Sequence, residues 1–193
     1  MDRPVVLVAQ RLGWHLLEGY WQDSGVAMKG WPLMESLMCS KMRNYGPSET
    51  HDAVAVHARR GDFVSSAAAA GHGVGDLSQQ IRLAREIKDQ VGAKRIVVFT
   101  DSPNEVRESV MGEEYVSVST LRESWSVLRA MADAQGFVMG NSSLSWWAAA
   151  YRTWTNPGGY VVRMPIPWGR TWTGVEERLL LPEWRSYRRR IVS

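Results

Sequence analysis

Residues 54 to 63 read Val54-Ala-Val-His-Ala-Arg-Arg-Gly-Asp-Phe63. The apolar run Val54–Val56 predicts a short buried strand, and it leads into His57, the adjacent Arg59 and Arg60, Gly61 and Asp62. Two guanidinium groups at the carboxyl end of a buried strand are costly to place unless something anionic meets them. A diphosphate suits them, because a guanidinium matches phosphate oxygens with paired hydrogen bonds.

Outward from this stretch, strand-like and helix-like segments alternate. Asp76–Val91 predicts a helix with Asp76 as N-cap and Gln79 closing a capping box. Leu77, Ile81, Ala84, Ile87 and Val91 fall on one of its faces. Arg95–Thr100 is a continuous apolar run, as in a strand buried on both faces. Ser102-Pro103-Asn104-Glu105 opens the next helix, with proline in the first turn. A strand at Tyr115–Val118 follows, then a helix boxed by Thr120 and Glu123 that runs to Ala134. Phe137–Met139 is a strand, Ser142–Thr153 a helix closed by Asn156-Pro-Gly-Gly159, and Tyr160–Met164 the last clear strand. The order predicts an α/β fold: a Rossmann-like parallel sheet with helices on both faces.

Ahead of residue 54 the pattern is less regular, with a strand at Val5–Ala9 and a helix at Trp31–Arg43 opened by Pro32. Ser65–Gly75, rich in Ala, Gly and Ser, reads as a mobile loop in which Ala67–Ala70 offers a helical turn. No repeat and no dividing linker is visible. The chain reads as one compact unit, residues 51–193, with a smaller N-terminal segment, residues 1–50.

A length of 193 residues suits one domain with a real core. The net charge of +3, from 23 basic and 20 acidic residues, is too mild to argue for nucleic acid as a partner. Arg185, Arg188, Arg189 and Arg190 crowd the C-terminus, as a solvated tail or as a contact for an acidic ligand or anionic surface. The N-terminal residues do not read as a signal peptide, and no apolar run is long enough to span a membrane. One cysteine, Cys39, excludes an internal disulfide, sits among Met and Leu as a buried residue rather than a nucleophile, and fits a reducing cytoplasm. Of ten tryptophans, most read as core rather than as platforms for sugars or bases.

In open α/β sheets ligands sit at the carboxyl ends of the strands. Three polar clusters fall there: His57-Ala-Arg-Arg-Gly-Asp62, Asp101-Ser102, and Asn141-Ser142-Ser143-Leu144-Ser145. Arg59 and Arg60 could neutralise a diphosphate. The Asn141-Ser142-Ser143 turn opens a helix whose free amides favour a phosphate oxygen, and Ser142, Ser143 and Ser145 add hydroxyls. Asp101 could accept from a guanine edge, His57 could meet the base or ribose, and Asp62 could hold an arginine or touch a sugar. Each has an ordinary alternative. Ser142 also reads simply as an N-cap, Asp101 as a cap for the helix after it, and Asp62 as a partner for the arginines alone. Arg-Gly-Asp is also an adhesion tripeptide, but its place after a strand speaks against that role. Cofactor signals are missing: no G-x-G-x-x-G after a strand, no Walker A, no Asp-x-Asp pair, no metal spacing among His15, His51, His57 and His72, and no G-x-S-x-G elbow.

His57-Ala-Arg-Arg-Gly-Asp-Phe63 resembles the H-x-R-R-G-D-Y motif of the α-1,2-fucosyltransferases, glycosyltransferase family 11. Val98-Phe-Thr-Asp-Ser-Pro103 resembles that family's F-S-D-D-P segment, and Gly140-Asn-Ser-Ser-Leu-Ser-Trp-Trp-Ala-Ala149 its N-S-S-F-S-W-W-A-A motif. Leu17-Glu-Gly-Tyr-Trp-Gln22 is similar to its G-Y-W-Q, and Leu181-Pro-Glu-Trp184 to its P-x-W ending. The third motif is highly specific, whereas the first is shared with related fucosyltransferases. The resemblance implies a GT-B type fold whose Rossmann-like half binds GDP-fucose. It implies inverting, metal-independent transfer of fucose to a galactoside hydroxyl, with no cofactor and with a glycan as acceptor. His57, Arg59, Arg60, Asp62, Asp101, Asn141, Ser142, Ser143 and Ser145 become the donor-site expectations. Arg59 is the first choice to stabilise departing GDP, and Asp62 a weak candidate for the base.

The departures are as informative. The family's G-G-L-G-N-Q-M-F-Q loop is missing, its second aspartate after F-S-D is Ser102, and its S-E-K-Y-F is replaced by Asp23-Ser-Gly-Val-Ala27. An acidic residue expected near Ser126 and Val127 is lost. The resemblance therefore implies a donor-binding half at residues 51–193 and a reduced acceptor side at residues 1–50, completed by self-association or by a partner. Three readings follow: an active compact fucosyltransferase, a GDP-sugar-binding module without transfer, or a transferase of another GDP-sugar. A cytoplasmic protein, peripheral to a membrane at most, is expected.

Overall fold

The computed structural model describes residues 24–45, 48, 50–61, 74–156, 158–167 and 176–192. At its centre lies β1 (Ala53–Ala58), buried at every position. It pairs in parallel with β3 (Arg95–Thr100) on one side and β5 (Gly136–Val138) on the other. β4 (Val116–Val118) lies beyond β3, while β6 (Val161–Ile166) and β7 (Arg185–Arg188) lie beyond β5. The order is β4-β3-β1-β5-β6-β7, with every pairing parallel. β2 (Val74–Gly75) and β8 (Ile191–Val192) form a separate antiparallel pair. This is the Rossmann-like sheet expected from the alternation.

The order places the crevice. From β1 the chain builds β3 and then β4 on one side, and returns to the other side of β1 to lay down β5. The reversal lies between β1 and β5, and ligands of such sheets bind at the carboxyl ends of the strands at that point.

Helices cover both faces, as the two-residue period of the strands requires. Ala53, Ala55, Val97, Phe99, Phe137 and Met139 point to one side. There they meet α1 (Ser24–Met42), α4 (Ser124–Asp133), α5 (Ser143–Thr155) and α6 (Glu176–Leu179). Val54, Val56, Ile96, Val98 and Val138 point to the other, against α2 (Leu77–Val91) and α3 (Pro103–Ser109). Met38 and Met42 of α1 are fully enclosed in the first of these cores. The tryptophans follow the core reading: Trp146 and Trp184 are buried, and Trp31, Trp125, Trp147 and Trp154 pack against the same core. Trp14, Trp21, Trp168 and Trp172 lie outside the described residues.

Several local expectations shift. Pro32 does not open α1 but sits inside it, because the helix begins at Ser24. A proline removes one backbone bond, and a helix anchored by buried Ala27, Met38 and Met42 tolerates that loss. Asp76 caps α2 through bonds from the Ser78 and Gln79 amides. Gln79 closes no capping box, however: its side chain donates to Arg188 O and accepts from Arg190 N, tying α2 to the C-terminal strands. α4 is capped by Glu123, whose carboxylate takes the Ser126 amide at 2.7 Å, and not by Thr120. Tyr115 holds a φ of 63°, so β4 starts one residue later than expected. Val74–Gly75, assigned to a loop from composition, is β2. The rest of the expected loop and the strand at Val5–Ala9 lie outside the described residues.

Candidate functional site

The three polar clusters leave β1, β3 and β5, which are neighbours in the sheet, so they share its carboxyl edge. His57, the fifth residue of β1, is 5% exposed and faces α5. Its Nδ1 lies 2.8 Å from Ser145 Oγ. The same Oγ accepts from the Gly140 amide at 3.1 Å. The Ser145 hydroxyl, with one proton and two lone pairs, accepts from Gly140 and can meet Nδ1 in either tautomer of a neutral ring. Burial, offset by Asp101 and reinforced by Arg59, lowers the His57 pKa to about 4, so the ring is uncharged at neutral pH. Gly140 is required by the close approach. A Cβ there would stand 2.5 Å from His57 O.

Arg59 and Arg60 take different directions. Arg59 Nη1 pairs with Asp101 Oδ2 at 3.0 Å, just past β3. Arg60 gives its backbone amide to Asp101 Oδ1 at 2.8 Å, while its side chain reaches Glu105 of α3 at 2.7 Å. Arg60 thereby lines a cavity of about 290 Å³ between α2 and α3, together with Asp76, Ser78 and Arg85. Arg59 is the arginine whose charge acts on His57. Asp101 is thus the organiser of the arginine loop, its carboxylate engaged by two consecutive residues. Gly61 fits beside it because a Cβ would come within 2.7 Å of Asp101 Oδ2.

The third cluster forms the start of α5. Ser142 occupies the N-cap position with extended backbone, yet its side chain makes no capping bond. Ser143 is exposed, Ser142 half-buried and Asn141 buried. The first turn of a thirteen-residue helix thus opens at the sheet edge without its usual side-chain acceptor, an arrangement that suits an external anion. Of the nine expected residues, eight belong to the three adjoining clusters at this edge; Asp62 lies outside the described residues.

Glu105 holds Arg60, and the buried Gln80 and Tyr187 support the strand ends from the opposite face of the sheet. None of the three was anticipated. Gln80 carried a signal nonetheless: it falls within the apolar stripe of α2, beside Leu77, Ile81 and Ala84, where an amide must find a partner. A further cavity of about 600 Å³ opens beneath β3 and β4, bounded by Tyr45, Phe99, Ser117, Thr120, Ser126 and Arg129. Cys39 is half-buried and stands 3.5 Å from the Tyr151 hydroxyl. Among the described residues no group of three or more His, Cys, Asp or Glu is placed to hold a metal, and no helix is long and apolar enough to cross a membrane.

Compared with known proteins, residues 17–186 match the sequence family described as Glycosyl transferase family 11. No curated protein matches the chain. Among solved structures, POFUT1 in complex with GDP is similar at 18% identity and a TM-score of 0.46, over 69% of this chain and 49% of that one. POFUT1 in complex with GDP-fucose is similar at 17% identity and a TM-score of 0.44, over 65% of this chain and 46% of that one. The chain spans about half the length of the solved structures it matches.

Proposed function

The chain belongs to glycosyl transferase family 11, and on that footing we propose that it takes GDP-fucose as donor and transfers L-fucose to a galactoside hydroxyl. We propose an α-1,2 linkage, formed with inversion and without a metal. One observation carries this reading: Arg59, fixed by Asp101, and the uncapped first turn of α5 stand on neighbouring strands at the point where the strand order reverses. Residues 51–193 bind the donor.

The chemistry asks for such an arrangement. As the acceptor oxygen attacks the anomeric carbon, the bond to the diphosphate breaks and negative charge grows on GDP. A cation and a helix N-terminus aimed at that charge stabilise the transition state more than the ground state. A guanidinium has five donors, enough to serve the Asp101 carboxylate and a phosphate oxygen together. The neutral His57 adds no repulsion toward Arg59. The acceptor's proton goes to a base, for which Asp62 is the candidate.

Incubating the protein with GDP-fucose and a panel of β-galactosides, while following GDP release and product mass, tests the proposal. GDP release matched by a fucosylated product is expected. GDP binding without product supports the binding module instead. Absence of GDP binding by calorimetry overturns both readings.

A further inference from the structure

The crevice strands are held from both faces of the sheet. On the α5 face, Ser145 ties His57 of β1 to Gly140 after β5. On the α2 face, Gln80 is 3% exposed and donates from Nε2 to His57 O at 3.2 Å. Tyr187, 8% exposed, donates its hydroxyl on β7 to Met139 O at 3.2 Å. Two buried bonds thus hold the strand ends from this face, one from α2 to the end of β1 and one from β7 to the residue before Gly140.

We propose that Gln80 and Tyr187 are positioning residues of the donor site, a clamp that fixes the spacing between the arginine loop after β1 and the Asn141-Ser142-Ser143 turn after β5. The proposal rests on the donor-binding reading and deepens it. Neither residue faces the crevice, so each acts through the backbone it holds. The two carbonyls they engage belong to the last residues before the loops diverge: His57, two positions ahead of Arg59, and Met139, two positions ahead of Asn141. Cations and amides that must meet the oxygens of one diphosphate lose much of their effect when misplaced by an ångström. Each side chain is buried on the carbonyl it holds, so removing its donor takes that bond from the carbonyl and loosens the strand end.

Tyr187→Phe and Gln80→Leu test this, with Tyr160→Phe as the control. Tyr160 is also a buried tyrosine whose hydroxyl meets a backbone carbonyl, that of Met131 at 3.3 Å, but it lies on the α4 side of the sheet, away from the clamp. Calorimetry with GDP should show about fivefold weaker binding for Tyr187→Phe and for Gln80→Leu, and unchanged binding for Tyr160→Phe at a similar loss of thermal stability. GDP affinity equal to wild type in Tyr187→Phe overturns the clamp, and this variant decides the matter should Gln80→Leu fail to fold. If the wild-type protein itself binds no GDP, the donor reading fails. Amide hydrogen exchange then judges the clamp by itself. Protection at residues 58–60 and 139–141 must fall in Tyr187→Phe and hold in Tyr160→Phe; equal protection in both sinks it.

Discussion

Asp101 accepts from the Arg59 guanidinium and from the Arg60 backbone amide, so one carboxylate sets where two consecutive residues stand. It holds the Arg59 guanidinium at the end of β3, while the Arg60 side chain runs to Glu105. Removing the Arg59 guanidinium should matter most. Arg59→Ala is expected to lower turnover or donor affinity at least about tenfold, or ~1.4 kcal/mol, and kinetics indistinguishable from wild type would remove Arg59 from the mechanism. His57 makes a prediction about stability. Its pKa falls from 6.5 in the unfolded chain to about 4 in the fold. Between those values the unfolded state binds a proton that the folded state refuses. Stability therefore rises with pH through that window, levels off above 6.5, and carries the full penalty below 4. The span corresponds to about 3 kcal/mol. Urea titrations at stepped pH should show His57→Asn lacking this part of the rise; equal slopes for both proteins would show that the ring is not held neutral.

At the scale of the element, α5 opens without a side-chain cap at Ser142, as α3 does at Ser102. An N-cap serine normally contributes about 1 kcal/mol by accepting a first-turn amide, but Ser142 makes no such bond. Ser142→Ala should then cost less than about 0.5 kcal/mol in urea unfolding, while weakening GDP binding about threefold or more through the lost hydroxyl. A full capping loss with unchanged GDP affinity would return Ser142 to its ordinary role. Capping elsewhere shows where sequence rules stop. Asp76 was legible because its partners are the amides two and three residues along the chain. The fate of Gln79 was not, because its partners are Arg188 and Arg190, more than a hundred residues away.

For the whole molecule, the order β4-β3-β1-β5-β6-β7 turns three separate loops into one edge with a reversal in its middle. Charge on a bound diphosphate would be met there by Arg59 and by the amides at the start of α5. Fucosyl transfer is accordingly expected to persist in excess EDTA. Activity that chelation abolishes and an added divalent cation restores would refute that charge assignment.

The sequence by itself determined the alternation of strands and helices, the parallel sheet, and the three polar clusters at its carboxyl edge. Those features rest on local spacing: apolar runs in the strands, Asp76 before an amphipathic stripe, and paired arginines at a strand end. Tertiary structure alone decided which groups meet. His57 and Ser145 are 88 residues apart, and Gln80 and His57 are 23 apart. Their bonds exist because β5 returns to the side of β1 that β3 left open, and because α2 lays a buried amide under the end of β1. No local pattern encodes such distances, since what sets them is the packing of both faces of the sheet at once.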